Sequence, residues 1–251
     1  MSRVAGVIGV AVVAIALWQA LVWATGVPPF ILPGPGRVAV ALWDARLLLA
    51  QHFTVTAAEV IAGIVLGSAL GALTAVQLVA APRLARAVMP VLVFTQAVPV
   101  FALAPLLTLW LGYGIWSKIA MTLLIIYFPV ASAFLDGLRR TDPGLLDLAQ
   151  TMGAGRGRTL VFLRLPAALP AFASGLRLAA VYAPIGAVIG EWVGASQGLG
   201  YLMLLANGRA KTDLMFAALI VLALMTVALH AGVGALGRRL DAYAAGRPGG
   251  G

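Results

Sequence analysis

DLAQTMGAGRGRTLVFLRLP, from Asp147 to Pro166, is a basic, glycine-punctuated stretch set inside a chain that is otherwise strongly apolar. Its surroundings settle the class of fold. Of 251 residues, 62% are hydrophobic and only 10% charged, against about 25% charged in ordinary soluble domains. Several apolar runs are longer than the roughly 18 residues a helix needs to cross the hydrocarbon of a bilayer. A β-barrel would show short alternating segments instead. The expected fold is therefore all-α and polytopic, with about six membrane spans and the quoted stretch as an interruption between the fourth and fifth.

Those spans are expected at about Val4 to Ala24, Val55 to Ala80, Val88 to Leu111, Trp116 to Leu135, Ala171 to Val193 and Leu214 to Leu236. The first exceeds a signal-peptide core in length and has no small-x-small cleavage site after it, so it reads as an uncleaved span. Between the first two, Val27 to Phe53 begins with prolines and glycines that break helix and continues as a short amphipathic segment suited to the interface. Residues 1–54 then form an N-terminal span with an external segment, 55–240 the core with its loop at 142–166, and 241–251 a flexible tail.

Basic residues orient the spans. With the N-terminus in the cytoplasm, Arg3, Arg83, Arg86, Arg139, Arg140, Arg156, Arg158, Arg164, Arg238, Arg239 and Arg247 fall on the cytoplasmic side. The other side receives Arg37, Arg46, Arg209 and Lys211, with Lys118 near that face. Positive-inside counting thus puts both termini and the quoted stretch in the cytoplasm, and it accounts for the net charge of +9 without nucleic acid. Absence of cysteine excludes disulfides and thiol catalysis, and His52 and His230 alone make no metal set.

Two tandem small-residue motifs stand out: Gly63, Gly67 and Gly71, and Gly186, Gly190 and Gly194. Spacing by four puts each set on one helix face, where another backbone can approach closely. Packing within one subunit and packing between subunits both fit. Pro99, Pro105, Pro129 and Pro184 fall inside spans, where a freed carbonyl needs a neighbour and often lines a pathway.

Within the cytoplasmic stretch, Asp142 can cap a helix whose first residue is Pro143. Leu145, Leu148, Ala149 and Met152 then share one face, and Gly153 is placed to end the helix. A further turn or two leads through Leu163 to Pro166. The expected product is a short amphipathic helix across the cytoplasmic end of the bundle, either an ordinary connector or a piece that fits a groove in another protein.

The spacing of this stretch resembles the EAA loop of permease subunits in ATP-binding-cassette importers: Glu-Ala-Ala, three residues, Gly, nine residues, then Ile-x-Leu-Pro. Asp147-Leu148-Ala149, Gly153 and Leu163-Arg164-Leu165-Pro166 stand at those places. The resemblance implies the transmembrane fold of a type I importer, with Asp147, Leu148, Ala149, Met152, Gly153, Leu165 and Pro166 coupling the spans to a separate cytoplasmic ATPase dimer. It also implies an inner-membrane location, a periplasmic or lipid-anchored solute-binding protein, and a second copy of this chain. ATP and magnesium would belong to the partner ATPase. No GxxxxGK[ST] phosphate loop occurs in the sequence, so the chain itself is expected to be neither an enzyme nor a cofactor carrier.

From about Pro28 to Leu240 the chain is similar to the branch that moves sulfonates, taurine, nitrate and thiamine-precursor pyrimidines. Gln96 to Gly114, Phe128 to Gly144 and Gly190 to Leu219 look most like hydroxymethylpyrimidine permeases. The pathway is expected to involve Gln96, Pro99, Phe101, Tyr182, Pro184, Glu191 and Trp192, although aromatics at helical spacing serve packing equally well.

Glu191 has two expected roles: contact with a solute or a docked protein beside Trp192, or a structural pairing with Arg209 or Lys211. Asp136 is expected to pair locally with Arg139 or Arg140, His230 to pack or end a helix, and Glu59 has no evident partner. Of other classes, an ion-gradient carrier would show paired charges in mid-membrane and an inverted repeat. An intramembrane enzyme would need a nucleophile or metal set.

Overall fold

A computed structural model describes residues 2–246. The described chain is helical: α1 (Ser2–Thr25), α2 (Pro35–Asp44), α3 (Arg46–Ala80), α4 (Pro82–Ala97), α5 (Val100–Leu111), α6 (Ile115–Arg139), α7 (Pro143–Thr151), α8 (Arg156–Thr159), α9 (Leu165–Gly194), α10 (Leu199–Gly208) and α11 (Thr212–Ala245). A π turn, Leu160–Arg164, joins α8 to α9. Among the described residues, α3, α6, the run Arg156–Gly194 and α11 are each long and apolar enough to cross a membrane.

The expected third span is not one helix. α4 and α5 meet at 96°, with Pro99 as the residue before α5. Proline lacks an N–H and disfavours helix in the residue preceding it, so the chain breaks at Val98-Pro99. A span is completed only by the bent pair taken together. α1 offers a shorter apolar stretch, Gly9–Thr25.

Other boundaries moved for local reasons. The short amphipathic helix expected after the first span is α2, started by Pro35 at its first turn, and the residues after Arg46 already belong to α3. α10 was not foreseen; it lies between Gly198, at φ +113, and Arg209. The segment expected as a tail begins as helix, since α11 continues to Ala245. Residues 247–251 lie outside the described residues.

Two compact units are formed. The first comprises residues up to Val55 together with Ser196–Leu224, so this later segment groups with the N-terminal part rather than with the core domain expected over 55–240. Its core gathers Val38, Leu49, Leu199, Leu202, Ala217 and Ala218. Trp18 stacks on Phe216 with ring centroids 5.7 Å apart, and Thr212 Oγ1 donates to the Phe30 carbonyl at 2.5 Å.

The second unit comprises Thr56–Ala195 and the residues from Met225 on, and its axis is α6. Gly63, Gly67 and Gly71 of α3 face Thr122, Ile126 and the Tyr127–Ala131 backbone in register. Gly186, Gly190 and Gly194 of α9 face Thr122, Lys118 and Thr108. Both glycine stripes are thus spent inside one subunit, clasping α6 from two sides. Backbones this close leave no room for side chains: a Cβ at Gly186 would lie 2.7 Å from Thr122 Cα. At the other end Ala75, Leu78, Phe134, Leu135, Leu138 and Ala168 close the core.

Candidate functional site

The stretch around α7 forms as a self-contained local structure. Asp142 Oδ1 accepts from the Gly144 N–H at 2.7 Å, and Pro143 opens the helix. Gly153 has φ +74, a left-handed value at which a Cβ is strained. There the Gly153 and Ala154 N–H groups bond back to the carbonyls of Gln150 and Ala149, closing the C-terminus. Ala149 is buried, whereas Leu148 and Met152 are 56% and 78% exposed and Leu145 is also exposed. The apolar edge of α7 therefore points away from its own unit. Asp147 is exposed, and Leu165 and Pro166 sit half-buried at the start of α9.

The expected pathway residues separate into two groups. Gln96, Pro99, Phe101, Tyr182 and Trp192 lie on the surface of the subunit. Gln96 Nε2 makes a long bond to Thr95 Oγ1, 3.4 Å, beside the α4–α5 break. On α9, Leu178, Tyr182, Ile185 and Trp192 are exposed along one side, opposite the small residues that pack on α6. Pro184 and Glu191 belong to the other group, buried within the unit.

Glu191 takes part in a polar layer that sequence reasoning did not assemble. Its Oε1 accepts from Thr56 Oγ1 of α3 at 2.6 Å. Glu59 of α3, one turn on from Thr56, lies against Glu191 and close to Lys118 of α6. Lys118 Nζ donates to the carbonyls of Tyr113 at 2.7 Å, Gly114 at 3.1 Å, and Gly194. An ammonium has three protons, and here each has a carbonyl. Thr56, Glu59, Lys118 and Glu191 are all at most 2% exposed, while Glu59 Oε2 has no hydrogen-bond partner among the described residues.

This layer ties α3, α6, α9 and the turn before α6 into one piece. Within its own unit Glu191 is held by Thr56, with Glu59 and Lys118 beside it, whereas Arg209 and Lys211, its expected partners, belong to the first unit. A signal was available in the sequence, since Lys118 and Glu59 are ionisable groups in apolar helices and such groups carry a role by default. What one sequence lacks is the parallel register of α3 and α6, which brings the two residues to the same level.

Three other expectations resolve simply. Asp136 is exposed and makes no ion pair with Arg139 or Arg140 among the described residues; its backbone carbonyl accepts from the Arg140 N–H instead. His230 is exposed on α11. His52 of the first unit, left without a role, is buried and accepts the Gly198 N–H at Nδ1, 2.9 Å, beside Tyr201. No group of three or more metal-ligating side chains occurs among the described residues.

Residues 63–242 match the family described as binding-protein-dependent transport system inner membrane component. The chain belongs to that family. It is 50% identical over 214 residues to a probable ABC transporter permease protein of Haemophilus influenzae, covering 85% of this chain and 87% of the relative. The formylaminopyrimidine transport permease protein ThiX of Halalkalibacterium halodurans is 38% identical, over 79% of this chain and 80% of its own.

The riboflavin transport system permease protein RibX of Chloroflexus aurantiacus is 37% identical, over 89% and 84%. An inward-facing MetNI methionine ABC transporter shares the fold, with a TM-score of 0.63 at 18% identity over 79% of this chain and 97% of the other. The chain is thus an integral membrane permease of the ABC importer type, and the quoted stretch has its place between α6 and α9.

Proposed function

We propose that this chain is the translocating subunit of an ATP-driven importer for a small pyrimidine-type solute, such as hydroxymethylpyrimidine or a related thiamine precursor. A separate ATPase dimer, holding ATP and magnesium, engages α7 from the cytoplasm. An external binding protein delivers the solute, and a second copy of the chain completes the pore. Both termini lie in the cytoplasm.

The observation that carries the coupling is the placement of α7: a capped helix with an exposed Leu145–Leu148–Met152 edge, between two long helices packed along each other. A rigid displacement of α7 passes to α6 and α9, because the glycine faces leave no slack between them. Gln96, Pro99 and Phe101 at the α4–α5 break, together with Tyr182 and Trp192 on α9, supply polar and aromatic surface for the route. Exposed rings suit a flat heteroaromatic solute.

Support for the pyrimidine class comes from the formylaminopyrimidine permease at 38% identity. Riboflavin, carried by the relative at 37%, also contains a fused pyrimidine ring. Sulfonate, taurine or nitrate remains the competing class within the same mechanism. An ion-gradient carrier would use paired charges in mid-membrane, and Glu59, Lys118 and Glu191 are buried charges. However, the Lys118 protons are committed to carbonyls, which makes the layer a staple between helices.

Proteoliposomes holding the permease, its ATPase and its binding protein test the proposal. Uptake of labelled hydroxymethylpyrimidine should require internal ATP and survive a protonophore. Preferential uptake of taurine would overturn the solute class, and ATP-independent uptake abolished by the protonophore would overturn the mechanism.

A further inference from the structure

Where α3 ends and α4 begins, two cavities adjoin within the second unit. The first, about 540 Å³, has walls from Leu78, Val79 and Met89 and is rimmed by Arg86, Arg139 and Arg164. The second, about 650 Å³, shares Val79, Pro82 and Arg164 with it and adds Arg156. Four guanidiniums therefore line the two adjoining hollows, three of them around the first, and no carboxylate lines either.

These charges are unspent. Arg86 and Arg139 make no hydrogen bond or ion pair among the described residues, and Arg164 reaches only the Leu138 carbonyl, at 3.5 Å. The acids of the surrounding elements, Asp136 on α6 and Asp142 and Asp147 around α7, are exposed and absent from the lining. Solvated surface arginines alone would not need an apolar wall behind them. Like charges gathered at an apolar hollow repel one another unless an anion enters.

We infer that this hollow binds an anionic phospholipid, with the phosphodiester between Arg86, Arg139 and Arg164 and the start of an acyl chain against Leu78, Val79 and Met89. Two features select a lipid over a free phosphate. The hollow lies at helix ends, where the hydrocarbon gives way to water. The wall behind Arg86 and Arg139, formed by Leu78, Val79, Ala85 and Met89, is aliphatic and suits a hydrocarbon chain. Positive-inside counting places this end at the cytoplasmic leaflet, where anionic lipids draw juxtamembrane arginines.

The test uses the permease assembled with its ATPase in nanodiscs of mixed phosphatidylglycerol and phosphatidylcholine, followed by native mass spectrometry of retained lipid. The wild type should keep phosphatidylglycerol selectively. Arg86→Gln with Arg139→Gln should lower its apparent affinity at least about tenfold, the effect of losing one charge-assisted hydrogen bond. The control pair Arg83→Gln with Arg158→Gln removes the same charge outside the hollow and should change retention little.

Met89→Glu keeps every arginine and adds a carboxylate to the wall, so it should also abolish selective retention. Equal loss in both arginine pairs would mean a diffuse cationic belt and overturn the site. Unchanged retention in Met89→Glu would do the same. Displacement of the lipid by millimolar inorganic phosphate would reassign the hollow to a free anion.

Discussion

Thr56 of α3 donates its hydroxyl proton to Glu191 of α9 across 2.6 Å, and both side chains are buried. Glu191 is therefore a tie between two helices of one subunit. Leucine at 191 would leave Thr56 without this acceptor, at a cost of about 1–3 kcal/mol, read as a lower midpoint of thermal unfolding in detergent. Glutamine keeps an accepting oxygen, so Glu191→Gln should fold and transport like the wild type. Lost uptake in Glu191→Gln at unchanged stability would return the carboxylate to the solute's route.

Lys118 carries more of the same layer. Lys118→Met would strand the carbonyls of Tyr113, Gly114 and Gly194 and leave Glu59 and Glu191 without their nearby cation. Breaking a buried charge set by removing one partner costs about 3–5 kcal/mol, so the variant should yield little folded protein by size-exclusion chromatography. Lys211→Met, at an exposed side chain with no ion pair among the described residues, is the control and should behave as wild type. Equal yields would mean that Lys118 does not hold the layer together.

Much of this fold was legible in the sequence, for physical reasons. Apolar length announces a span, proline after aspartate announces the start of α7, and Gly153 announces its end, because each depends only on neighbouring residues. The α4–α5 break was half legible: Pro99 was visible, but whether a proline kinks a span or turns it through 96° depends on what packs around it. The Thr56–Glu59–Lys118–Glu191 layer was not legible, since it needs three helices in register. The glycine stripes left two readings open, and only the faces they meet decided between them.

Gly186 tests the clasp around α6 directly. A Cβ there would lie 2.7 Å from Thr122 Cα and 3.1 Å from Thr122 N, and backbone cannot rotate away as a side chain can. Gly186→Ala should therefore lose about 1–3 kcal/mol through overpacking, despite alanine's better helix propensity. Gly232 of α11 has nothing within 4 Å of its added Cβ, so Gly232→Ala should be neutral or gain up to about 1 kcal/mol. Thermal unfolding of the two variants side by side gives the answer, and equal midpoints would refute the close approach of α9 to α6.

The coupling role of α7 separates from its folding through two kinds of variant. Leu148 and Met152 are already exposed, so serine at either should shift stability by no more than about 0.5 kcal/mol. If these side chains seat in the ATPase, the same variants should capture less ATPase on co-purification and show weaker solute-stimulated hydrolysis. Gly153→Val acts differently. Its added Cβ meets nothing within 4 Å, but φ +74 is strained for a β-branched residue, by about 1–3 kcal/mol. The strain falls on the turn that orients α7, so hydrolysis should continue while uptake falls and membrane insertion stays intact. Normal ATPase capture in the serine variants and normal uptake in Gly153→Val would reduce α7 to a connector between α6 and α9.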